Sequence, residues 1–220
     1  MNETVVGEVV ELDIGNGITV LGEWFAATAP MGCVLLLHDR DDDLDSMRPF
    51  ARQMQKLYLA TLLVDLPGHG LSGGLWEDDA QRAVGRAVAW CAATGLSLAV
   101  LAAGDIVRFV LAQAGPPVGA VVVIGPKLSP DDLDEDSPWR TVPMLAIADP
   151  SDPDGQRSQQ LLGKWLRAWF LRLHAHYLDS DRRRLPEWLP QLTSASAAFI
   201  AEQVARSCEP ASPRDRGTVA

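Results

Sequence analysis

Positive charge is scarce in this chain: 19 Lys and Arg stand against 29 Asp and Glu, a net charge of −10. A nucleic-acid partner is therefore not expected, because phosphate binding needs clustered Lys and Arg. The one tight basic run, Arg182-Arg183-Arg184, is short, follows an acidic stretch and reads as a solvated loop. Long apolar runs are missing too. None approaches the roughly 20 residues that span a bilayer, so no membrane partner is expected. Cysteine is rare. Cys33, Cys91 and Cys208 are an odd number at no metal-like spacing, which argues against a disulfide framework and a zinc site. Cys33 and Cys91 lie in apolar stretches and read as packing residues. The opening residues lack a basic n-region followed by an apolar h-region, so no signal peptide and a cytoplasmic location are expected. No Gly-rich phosphate loop or Rossmann fingerprint appears, and neither cofactor nor metal is expected.

What is present is an ordinary globular composition, 47% hydrophobic over 220 residues, enough for one well-packed core. Two strand-like runs, residues 5–12 and 18–26, flank an Asn16-Gly17 pair, a strong hairpin signal. Short apolar runs then alternate with helical periods. Residues 33–37 are a continuous apolar run, as expected of a strand covered on both faces, and 60–64 read as the next buried strand. Met47, Phe50, Met54 and Leu57 recur at helical spacing, as do Ala80, Val84, Ala87, Val88 and Cys91. Further strands are expected at 98–101, 119–124 and 144–148, with helices at 106–114, from about 156, and at 192–205. Residues 169–176 fit either a last strand or a continued helix. A hairpin followed by strand–helix units implies a mixed, mostly parallel α/β sheet with helices on both faces. One domain, residues 1–207, and a disordered tail, 208–220, are expected. Only 19 residues separate the 119–124 and 144–148 strands, too few for a lid domain.

Ligand sites in such sheets lie beyond the C-terminal ends of the strands. Those positions read His38-Asp39-Arg40, then Asp65-Leu-Pro-Gly-His-Gly70, then Ala103-Gly104-Asp105, Asp149-Pro-Ser-Asp152 and His174-Ala-His176. An acid and then a histidine come late in the chain, the order nucleophile, acid, histidine. Here the sequence resembles the α/β-hydrolases, over roughly residues 15–205. Leu35-Leu-Leu-His-Asp39 is similar to their apolar strand ending in His-Gly, and Asp65-Leu-Pro-Gly-His-Gly-Leu-Ser-Gly73 to the loop after their fourth strand. Pro143-Met-Leu-Ala-Ile-Ala-Asp-Pro-Ser-Asp152 resembles the segment that delivers the acid. Ala60-Thr-Leu-Leu-Val-Asp65 is nearest to dienelactone-hydrolase-like members. The resemblance implies the α/β-hydrolase fold, with Asp152 as acid and His176 as catalytic histidine, His174 competing for that role.

The departures from the family pattern bear on function. Its nucleophile stands on a strained strand–helix turn between small residues. In Val100-Leu-Ala-Ala-Gly-Asp-Ile-Val107 the elbow position falls on Ala103, on Gly104 after a one-residue shift, or on Asp105 after two. Neither Ala nor Gly attacks a carbonyl. Asp105 has a carboxylate, but Val107 stands where a small residue belongs; its other reading is a helix N-terminal residue that favours the dipole. On the oxyanion side Asp39 replaces the glycine, followed by Arg40 and further carboxylates, and negative charge there opposes oxyanion stabilisation. His38 and His69 read as loop-bracing residues. Ser72, Ser97, Ser151, Cys33 and Cys91 lack the elbow context.

Two functions follow as expectations. One is a pseudoenzyme: a soluble α/β-hydrolase-fold protein that binds a small molecule or a protein partner. The other is an active small-substrate hydrolase with relocated chemistry, using Asp105 or a water activated by His176. Trp76, Trp139 and Trp188 are the candidates for exposed tryptophans and, if clustered, would mark a protein interface.

Overall fold

The computed structural model describes residues 7–113, 118–149, 152–166, 170–174 and 185–208, with backbone alone at 170–174, 185–188 and 208. Eight strands form one sheet: β1 Glu8–Asp13, β2 Thr19–Phe25, β3 Gly32–Leu37, β4 Leu59–Val64, β5 Leu98–Ala103, β6 Ala120–Ile124, β7 Met144–Ala148 and β8 Phe170–His174. The spatial order is β1-β2-β4-β3-β5-β6-β7-β8. β2 pairs antiparallel with both β1 and β4, and β4 to β8 run parallel with β3. The expected mixed, mostly parallel α/β sheet is what forms.

The hairpin turn uses left-handed residues at its tip, Gly15, Asn16 and Gly17, with φ of 90°, 58° and 71°. Such backbone suits Gly and Asn, which is why that pair signals a tight turn.

Helices α1 (Leu44–Gln55), α2 (Trp76–Ala93), α3 (Ile106–Leu111), α4 (Pro153–Trp165) and α5 (Leu185–Cys208) cover the sheet. Strand alternation divides the core in two. Cys33, Leu35 and Leu37 face one way and pack with residues of α2, α3 and α4. Val34 and Leu36 face the other way, against residues of α1 and α5. All six residues of β3 and of β4 are buried, in keeping with their nearly unbroken apolar sequence, Thr61 excepted. A fully buried Leu or Val in such a layer contributes about 1.5–3 kcal/mol.

Several boundaries move. β5 runs two residues past the expected 98–101, since Ala102 and Ala103 also pair with β6. α4 begins at Pro153 rather than near 156, because Asp152 caps it and proline suits the first helical position. α5 begins at Leu185 rather than 192 and carries Pro190 inside it. It also includes Cys208, so the expected tail starts one residue too early; the rest of that tail lies outside the described residues. The ambiguous stretch before His176 forms strand β8, paired parallel with β7. Between β6 and β7 the chain makes two short 3₁₀ turns, Pro130–Asp132 and Pro138–Thr141, and no lid. Trp76 and Trp139 are buried, contrary to their expected exposure. The Trp139 indole is held inside by a 2.7 Å hydrogen bond from Nε1 to the Gln113 carbonyl. The side chain of Trp188 lies outside the described residues.

Candidate functional site

β3 connects to β4 on one side and its neighbour β5 connects to β6 on the other, so the connections leaving the two strands diverge. That switch point is where an open α/β sheet forms a crevice. The register places what faces it: Leu37 pairs with Ala102, so the two next residues of each strand end, His38-Asp39 and Ala103-Gly104, come level.

Gly104 makes the bend into α3. Its φ is +65°, in the left-handed region, and its N–H donates to the Ile124 carbonyl at 2.8 Å. The left-handed residue at this turn is therefore Gly104. Ala103 ends β5 instead of turning, because its strand continues through the last pairing with Ile124. Asp105 follows the bend with φ −66° and makes no capping hydrogen bond with its side chain.

The space beside Gly104 is already filled. A Cβ placed there would fall 2.0 Å from Cγ of Asp39 and 2.1 Å from each carboxylate oxygen. Asp39 Oδ1 accepts two backbone hydrogen bonds, from Asp105 N–H at 2.9 Å and Arg40 N–H at 2.7 Å. Asp39 Oδ2 receives the Lys127 ammonium at 3.3 Å. Partial burial works against the Lys127 charge, but the neighbouring carboxylates, Asp39 first and then Asp105 and Asp41, outweigh it and raise its pKa. The two N–H groups converge from the β3 and β5 turns, the geometry that stabilises a developing oxyanion. Here an internal carboxylate, that of Asp39, accepts from both.

A cavity of about 280 Å³ opens over this point. Met47, Phe50, Ile124 and Leu192 make an apolar side; Asp39, Asp42, Lys127 and Asp152 supply the polar groups. Asp152 lies at the cavity, and its carboxylate also caps α4, accepting from Asp154 N–H at 3.1 Å and Gly155 N–H at 3.0 Å. Asp105 is not among the described residues lining the cavity. His176 lies outside the described residues, as does the side chain of its competitor His174.

Both histidines near the bend brace loops. The His38 ring is buried; Nε2 accepts from Leu66 N–H at 3.0 Å, so Nδ1 carries the proton and donates to the Asp39 carbonyl at 2.7 Å. Burial lowers the His38 pKa, with the neighbouring His69 adding to the effect, against the hydrogen bond to Asp39 and the charges of Asp65 and Asp43. His69 meets the Arg40 carbonyl at 2.6 Å and packs edge-on between His38 and Trp76. Asp65 ties the same loops together, accepting from Leu44 N–H at 3.0 Å, while Ser72 Oγ donates to the Asp65 carbonyl at 2.6 Å. Ser72 is thus committed to loop structure. In the acidic run, Asp43 caps α1 by accepting from Asp45 N–H and Ser46 N–H.

Sequence reasoning missed Lys127. It follows the end of β6, so the strand-end rule that picked out Asp39 and Asp105 covers it; the surrounding Pro- and Asp-rich loop obscured it.

Neither a protein-family model nor a curated protein matches the sequence. Solved structures do match in shape. A dienelactone hydrolase from Anabaena variabilis superposes with a TM-score of 0.67 at 21% identity, covering 91% of this chain and 97% of its own. An esterase of Pyrococcus furiosus gives 0.68 at 14% identity, covering 91% and 92%. The protein Est1E from Butyrivibrio proteoclasticus, solved with ferulic acid bound, gives 0.67 at 16%, covering 89% and 99%. The chain has the α/β-hydrolase fold.

Proposed function

We propose that this chain is an α/β-hydrolase-fold protein that binds a small molecule without acyl-enzyme chemistry. The observation that carries the reading is the pair Gly104 and Asp39. The bend offers only hydrogen where an attacking atom belongs, and a carboxylate occupies the adjoining N–H cradle. A carbonyl oxygen turning into an oxyanion at that point would meet a resident negative charge. Two like charges about 4 Å apart repel by about 4 kcal/mol at an effective dielectric of 20, more than a hydrogen-bond donor contributes on average.

The cavity supports small-molecule binding: it is concave, apolar on one side and carries convergent polar groups on the other. Its volume suits a ligand of modest size. The reading as a protein-binding surface loses its main support, since Trp76 and Trp139 are buried. Among the described residues no helix is long and apolar enough to cross a membrane.

The competing reading is a hydrolase with relocated chemistry, through Asp105 or through a water activated by His176. Asp105 donates its N–H to Asp39 and is not among the described residues lining the cavity. The experiment is release of p-nitrophenol from short acyl esters, comparing the wild-type protein with His176→Ala. The binding reading expects the same background rate from both. Turnover that vanishes in the variant would overturn it.

A further inference from the structure

The polar end of the cavity is an anion site in all but its occupant. Arg40 N–H, Asp105 N–H and the Lys127 ammonium converge within hydrogen-bond or ion-pair distance on one carboxylate, and that carboxylate belongs to the protein. A carboxylate held by backbone N–H groups and a cation is the arrangement by which proteins bind carboxylate ligands. Asp39 satisfies it in cis, with the main chain of Arg40 and the loop-bracing His38 fixing its position from both sides.

We propose that this self-filled cradle makes the cavity reject anionic ligands and select a small uncharged amphipathic molecule ending in a hydroxyl or amide group. The inference rests on the non-acyl-transfer reading above and adds the ligand's chemistry to it. Two arguments fix that chemistry. First, a ligand carboxylate finds its N–H donors already taken and meets Asp39 as a like charge. Second, Asp39 Oδ2 is an acceptor and Lys127 Nζ a donor, 3.3 Å apart at the cavity. A hydroxyl or an amide both donates and accepts, so it can satisfy the two groups together. The hydrocarbon body then lies along Met47, Phe50, Ile124 and Leu192.

The test compares 4-phenylbutanol, 4-phenylbutanamide and 4-phenylbutanoate by calorimetric titration. Wild-type protein is expected to bind the alcohol or the amide at least tenfold more tightly than the acid. Asp39→Ala empties the cradle and is expected to raise affinity for the acid at least tenfold. Lys127→Ala added to Asp39→Ala is expected to cancel that gain. Asp39→Asn, which keeps the cradle filled, is expected not to produce it. Acid binding by the wild-type protein as tight as that of the alcohol would overturn the proposal, as would an Asp39→Ala protein that folds and gains no acid affinity. If Asp39→Ala does not fold, the wild-type comparison alone decides. Binding of none of the three probes overturns the ligand assignment; the non-acyl-transfer reading fails only if the ester assay shows turnover.

Discussion

The Asp39 carboxylate occupies the space that a side chain on Gly104 would need: an ideal Cβ there lies 2.0 Å from Asp39 Cγ. The two residues come from adjacent parallel strand ends, brought level by the pairing of Leu37 with Ala102. Each makes the other's conformation possible. Glycine permits the left-handed bend, and its missing side chain admits the carboxylate.

Gly104→Ser should therefore destabilise the fold without creating an esterase. The left-handed backbone alone costs a non-glycine residue about 1–2 kcal/mol, and displacement of Asp39 adds to it. In a domain of this size each kcal/mol lowers Tm by about 2–4 °C. Pairing the change with Asp39→Gly should recover part of the loss, with a coupling of about 0.5–3 kcal/mol between the sites. Thermal melts of the two single variants and the double variant measure it; strictly additive losses would separate the two residues.

The strand runs, the hairpin and the helix faces could be read in the sequence because each is written locally. Cys33 to Leu37 is apolar throughout because β3 is covered on both faces, and Met47, Phe50 and Met54 share one face because α1 is not. The bend was harder. Ala102 and Ala103 have no side-chain preference strong enough to end a strand, and only pairing with β6 shows that β5 continues to Gly104. That Asp39 meets the Asp105 N–H beside Gly104 depends on a register across 66 residues, which no local pattern carries. Trp139 misled for a similar reason: it sits in a polar loop, yet its indole finds a carbonyl inside.

Stability should fall as the pH drops from neutrality, with His38 as one identifiable source. Its native pKa lies below the ordinary 6.5, chiefly through burial. As the pH falls below that value the unfolded chain takes up the proton first, so stability present above it is lost on the way down to the native pKa. Urea titrations between pH 7.5 and 5 should show a steeper decline for the wild-type protein than for His38→Gln. Equal slopes would remove His38 from the account.

Asp152 is a helix cap whatever else it does. Asp152→Ala should cost about 0.5–2 kcal/mol through loss of the cap. Asp152→Asn, which keeps an acceptor oxygen, should cost markedly less. Denaturant midpoints for both variants check this, and an Asn variant as unstable as the Ala variant would show that the charge, not the cap, matters.

Cys33 and Cys91 should be silent to thiol reagents in the folded protein. Both are fully buried, and the adjacent Cys33 together with burial pushes the Cys91 thiol pKa up, away from the reactive thiolate. Peptide mapping after brief treatment with iodoacetamide should find both unmodified under native conditions and both alkylated in denaturant. Alkylation of either in the native state would mean that β3 or α2 opens readily.

The most direct test of the central claim is intact-mass spectrometry after exposure to a fluorophosphonate or to p-nitrophenyl butyrate. With hydrogen at the Gly104 bend and Asp39 in the N–H cradle, the mass should remain that of the unmodified chain. A stoichiometric phosphonyl or butyryl adduct, mapped to one residue at the cavity, would contradict the account.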